Sequence, residues 1–118
     1  MKDLERLAKE FADNVVLQTD SIRAGNARRA NVHARRSIKA FEALRERGDV
    51  GRDALLPLLS HARADIRGTA AAFLLRHRNE EAIAVLKELA RGEGMDAFGA
   101  QQTLARWSEG TWSLDPAD

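Results

Sequence analysis

The stretch from Ala54 to Leu75, ALLPLLSHARADIRGTAAAFLL, constrains this chain more than any other. It reads as two short antiparallel helices around a tight turn at Ser60 to Ala64. Leu55, Leu56, Leu58 and Leu59 form the first apolar ridge, and Ile66, Ala70, Phe73 and Leu74 the second. Pro57 removes a backbone donor, so the first helix is short or begins near it. Asp65 stands in the first turn of the second, which ends near His77. The alanines at 70–72 let a neighbouring helix approach closely. A hairpin this small has apolar surface on two sides, so further helices must cover it.

The rest of the chain supplies them. Leu4, Leu7, Ala8, Phe11, Val15 and Leu17 recur at three- and four-residue steps, which predicts an amphipathic helix from Lys2 to Gln18. Thr19, Asp20 and Ser21 end it or cap a following turn, and Gly25 suits a left-handed helix terminus. A second helix is expected from Asn26 to Arg47, burying Ala27, Ala30, Ala34, Ile38, Phe41 and Leu44 and stopping at Gly48. Asn31 falls on that apolar face. There it bonds to backbone of an adjacent turn or lines a cleft. Asn79 reads as an N-cap ahead of Glu80 and Glu81, with Ile83, Leu86, Leu89 and Ala90 as the ridge of that helix. Gly92 and Gly94 break it. The last helix spans Met95 to Trp107, with Phe98, Leu104 and Trp107 inward, and Gly99 is assigned to a close packing contact. Residues 111–118 form an irregular tail, with Trp112 and Leu114 folding back.

The central hairpin recurs at an offset of 29, which sets Ala71 on Ala100, Leu75 on Leu104, Ile66 on Met95 and Ala70 on Gly99. A two-helix repeat of this length is the mark of a solenoid. L-x-x-L-L, a turn, then D-I-R-x-x-A-A-x-x-L resembles HEAT and armadillo-like repeats, carried by Leu55, Leu58, Leu59, Ile66, Arg67, Ala70, Ala71 and Leu74. Those repeats usually hold an acidic residue in the turn, where this chain has His61. The copy from Ala82 to Trp107 lacks the Ile-Arg pair. The whole chain is similar to a family of small bacterial proteins, number two thousand and nineteen among the domains of unknown function. That similarity rests on Asn31, Ile66-Arg67, Ala70-Ala71 and Leu104-x-x-Trp107-x-x-Gly110. It implies an all-α fold: a HEAT/armadillo-like right-handed α-α superhelix of about six helices in three hairpins, one domain over residues 1–110. It implies no activity. In such repeats an arginine at the place of Arg67 bonds to neighbouring turns; direct contact with a ligand is the other role open to it.

Charge adds the one functional signal. The chain of 118 residues has a net charge of +1. Residues 21–47 hold eight basic groups against Glu42 and Glu46, a net of +6, and residues 92–118 hold Arg106 against five acids, a net of −4. Such asymmetry concerns partners rather than fold. Arg29, His33 and Arg36 share a stripe of helix two, with Arg28, Arg35 and Lys39 beside it. The stripe carries no aromatic residue for base stacking, and the chain has no tyrosine. Cysteine is absent, which removes disulfides, thiolate metal sites and cysteine nucleophiles and fits a reducing, cytoplasmic setting. No signal-peptide core opens the chain and no apolar run approaches a membrane span. Gly92, Gly94 and Gly99 do not make a dinucleotide fingerprint, and no P-loop, zinc-helix or nucleophile-elbow motif occurs. His33, His61 and His77 fall in separate elements and read as surface or helix-end residues.

These observations predict a non-enzymatic protein–protein interaction module: a scaffold, adaptor or immunity-type protein. It needs no cofactor and has no catalytic or metal-ligating residue. The candidate partner-binding residues are Arg29, Asn31, His33, Arg36 and Arg67, facing a protein of acidic character. Nucleic-acid binding by the basic face of helix two is one alternative. A self-associating structural domain, closed by Trp112 and Leu114, is another. The chain is expected as a monomer or weak homodimer.

Overall fold

The computed structural model describes residues 2–116 as six α-helices and one 3-10 segment, with no strand among them. The chain divides between Leu56 and Pro57 into two compact units.

The first unit is a long antiparallel hairpin. α1 spans Lys2–Arg23 and α2 spans Ala27–Glu46. α1 runs five residues past the expected end. The hydroxyls of Thr19 and Ser21 donate to the carbonyls of Val15 (3.1 Å) and Leu17 (2.8 Å), one turn back. Residues that read as terminators thus stay within the helix. At the turn, Asn26 N–H bonds to Ser21 O (2.8 Å), and the Asn26 side chain caps α2 by accepting from Arg29 N–H (3.0 Å). Register along the hairpin is set by three cross-links. Arg47 pairs with Asp3 at 2.5 Å, Ser37 Oγ donates to Phe11 O at 3.0 Å, and His33 meets Asn14 at 3.0 Å.

The buried face of α2 is rotated from the expected one. Ala30, His33, Ser37, Ala40, Phe41 and Leu44 face inward, while Ala27 and Asn31 are exposed and Ile38 is 41% exposed. Asn31 therefore does not lie on the apolar face. Polar His33 and Ser37 take core positions because α1 supplies them with partners. Phe11, Phe41 and Leu44 are fully enclosed. Each such side chain contributes about 1.5–3 kcal/mol by burial, whereas the Asp3–Arg47 pair is exposed and screened by solvent. The core holds the hairpin, and the ion pair trims its open end. A short helix, α3 (Asp49–Asp53), follows and packs back on α2. A Cβ on Gly51 would collide with the Leu44 carbonyl oxygen and stand 2.8 Å from the Arg47 Cβ, so only glycine fits.

The 3-10 segment Leu56–Ser60 stands where a helix limb was expected, because Pro57 cannot sustain the α pattern there. In the second unit α4 spans Ala64–Leu74, α5 Asn79–Ala90 and α6 Met95–Glu109. Ile66, Ala70, Ala71, Phe73, Leu74, Leu75, Ala82, Leu86, Ala97 and Ala100 are buried. α4 ends at Leu74, before His77. Asn79 is the first residue of α5 rather than its cap, which is Arg78. Its side-chain amide instead donates to Leu75 O (3.0 Å), satisfying a carbonyl left open at the end of α4. α6 turns Ala97 and Ala100 inward. That leaves Phe98, one residue and a rotation of about 100° from Ala97, 60% exposed. Gly99 is exposed with no neighbour near its missing Cβ, so close packing does not explain it. Met95 and Gly99 are exposed where their counterparts Ile66 and Ala70 are buried, and the repeat correspondence fails at those two positions.

Past α6, Gly110 adopts a left-handed conformation (φ 78°), and Thr111 N–H returns to Arg106 O (2.9 Å). The strap that follows is fixed to α4 and its C-terminal end. The Trp112 indole N–H donates to Ala72 O (2.8 Å), and its ring meets Trp107 edge-on with centroids 5.2 Å apart. Arg76 donates to Asp115 O (2.6 Å) and pairs with the buried Asp115 carboxylate (3.1 Å). Leu114 stays exposed, and the last two residues of the expected tail lie outside the described residues. Among the described residues, no helix is long and apolar enough to cross a membrane.

Candidate functional site

The basic residues of helix two sort by position once the face of α2 is known. Arg28 and Arg35 lie opposite the buried face, Arg29 and Arg36 lie on the flank, and Lys39 lies between the two, on the side of Arg36. All five are exposed, and none has an ion-pair partner among the described residues. α1 is built differently. Its Arg6 pairs with Asp3 (3.1 Å) and Glu10 (3.0 Å), and Lys9 pairs with Asp13 (2.7 Å). At the open end Arg47 is taken up by Asp3, whose carboxyl sits below its ordinary pKa, first through the Arg47 hydrogen bond and then through Arg6. Of charged residues, the outward face of α2 carries only cations as far as Lys39, and the exposed Glu42 and Glu46 follow toward its C-terminal end. Arg35–Lys39 and Arg36–Lys39 are like-charged pairs at helical-neighbour spacing, an arrangement that costs stability.

His33 is not part of this surface. It is 8% exposed, and its Nδ1 faces Asn14 Oδ1. The Asn14 amide nitrogen donates to Glu10 O (2.9 Å), which leaves Oδ1 as the acceptor and puts the His33 proton on Nδ1. The expected Arg29–His33–Arg36 stripe is thus interrupted by a core histidine, while Arg29 and Arg36 keep their place on its rim. Asn31 is exposed, away from that rim by helical spacing.

Beside Arg36 a furrow of about 390 Å³ opens between α1 and α2, lined by Leu7, Glu10, Asn14, Arg36, Lys39, Ala40 and Ala43. Small residues of α2 opposite Leu7 leave the gap. Sequence reasoning missed it, because Ala40 and Ala43 carry no chemical signal and Glu10 and Asn14 lie on the other helix.

Arg67, in the second unit, is not with these residues. Its Nη1 donates to His61 O (2.8 Å) and Ala62 O (3.0 Å), clasping the turn before α4. His61 Nδ1 accepts from Arg63 N–H (3.0 Å), so the side chain at the place expected to be acidic accepts a backbone bond of the turn. A second cavity of about 300 Å³ is lined by Arg76, Trp107, Gly110, Trp112, Asp115 and Pro116. Arg76 and Asp115 there are spent on each other. No cluster of metal-ligating side chains occurs among the described residues.

No protein-family model, no curated protein and no solved structure matches this chain.

Proposed function

We propose that the chain is a non-enzymatic protein-binding module of the HEAT and armadillo-like kind, a scaffold, adaptor or immunity-type protein of right-handed superhelical design, whose partner is an acidic protein surface held by α2. One observation carries this reading: Arg28, Arg29, Arg35, Arg36 and Lys39 are exposed and unpaired, while Arg6 and Lys9 of α1 are paired with acids of their own helix. A charge cluster that costs stability and lacks internal partners fits an external one. The all-helical build and the turn clasped by Arg67 support the repeat likeness. Nucleic-acid binding through the same cations is the second reading, favoured by the charge alone. Against it, no aromatic side chain stands among these cations for bases to stack on.

Affinity capture of the tagged chain from extracts of its own cells, with and without nuclease, tests the reading. A discrete protein that survives nuclease supports it. Capture of nucleic acid that vanishes with nuclease transfers the surface to the second reading.

A further inference from the structure

An acidic partner still has to present its carboxylates in some geometry, and the spacing of the free cations selects one. We infer that the partner segment is an α-helix with glutamates seven residues apart, one of which seats its side chain in the furrow between α1 and α2. The inference rests on the reading of α2 as the partner-binding surface.

The furrow's committed groups are on one wall. Glu10 is held by Arg6 at 3.0 Å, and both ends of the Asn14 carboxamide are spent, on Glu10 O and on His33. Leu7, Ala40 and Ala43 contribute apolar lining. The uncommitted groups, Arg36 and Lys39, are both cationic and both on α2. The occupant that matches has an aliphatic stem and an anionic end, which describes a glutamate side chain. Arg29 lies seven residues from Arg36 on the same flank, about 10.5 Å along the axis. A partner helix repeats its own face at that rise, so carboxylates at i and i+7 meet Arg29 and Arg36 together. An extended strand offers same-face side chains every ~6.6 Å or ~13 Å, which straddles the pair.

The test uses the full chain and two synthetic helical peptides of roughly 18 residues, long enough to hold a helix. Both have one composition. One carries its glutamates along a single face at four- and seven-residue spacing, and the other distributes them around the helix. Binding is followed by amide NMR at low salt. The patterned peptide is expected to bind about tenfold tighter than its isomer, to shift the amides of Ala40 and Ala43, and to lose about tenfold with Ala43→Trp, which fills the furrow without changing charge. If Ala43→Trp does not fold, Ala43→Met occupies part of the same space. Equal binding of the two peptides overturns the inference. So does binding that Arg36→Glu/Lys39→Glu weakens but Ala43→Trp leaves intact, and in that case the reading of α2 stands. Binding indifferent to both variants removes the inference and the reading together.

Discussion

The Nδ1 of His33 stands 3.0 Å from Oδ1 of Asn14, across the interface of α1 and α2. The pair lets an imidazole occupy a core position. Asn14→Ala takes the acceptor away and leaves the ring N–H unmatched. Loss of about 1–3 kcal/mol in urea unfolding is expected. In the native chain, long-range nitrogen-proton NMR should find the His33 proton on Nδ1.

Asp3 and Arg47 close the open end of the same hairpin. The carboxyl of Asp3 is held below its ordinary value, so its folded pKa lies under its unfolded one. Such a group contributes stability above the unfolded value and loses it as pH falls through the folded value. The stability difference between the native chain and Asp3→Asn should therefore be present at neutral pH and shrink on acidification below about pH 4. Because both side chains are exposed, salt should shrink it as well.

Gly51→Ala places a methyl group against the Leu44 carbonyl. α3 has to move off α2, at a cost of about 1–3 kcal/mol. Thermal unfolding reads the loss. Gly99→Ala, by contrast, meets open space and removes a mid-helix glycine, so it should stabilise α6 by about 0.5–1 kcal/mol.

Trp112→Phe keeps a ring beside Trp107 but removes the hydrogen bond to Ala72 O. About 1 kcal/mol of stability should be lost. With Trp107 then the only indole, its fluorescence reports the unfolding of the second unit directly.

Arg35→Glu exchanges one like-charged contact, with Lys39 at i+4, for an attractive one. It should raise stability by a few tenths of a kcal/mol while weakening the partner complex. A stabilising substitution that impairs binding is the signature of a surface shaped for a partner.

The helical content was legible from residue spacing, and five of the six helices begin where apolar periodicity and glycine punctuation put them, to within one residue, except that Asn79 serves the end of α4 rather than capping α5. The face of α2 was not legible. Choosing inward residues by apolarity selects Ile38 and ignores Ser37, whose hydroxyl is satisfied by Phe11 O from a helix 26 residues away in sequence. The same long-range satisfaction moves His33 from the surface to the core. Arg29 and Arg36 were identifiable from charge alone, but their lack of partners was not, since that depends on where α1 places its acids. The furrow was invisible for a related reason: it is a property of two helices together.

The central claim is that the free cations of α2 hold a protein partner. The direct measurement is nuclease-treated capture with the native chain beside Arg29→Glu/Arg36→Glu, both checked for native helical content. The account predicts a discrete protein retained by the native chain and lost, by about tenfold or more, from the variant. Equal retention of that protein by both chains would contradict it.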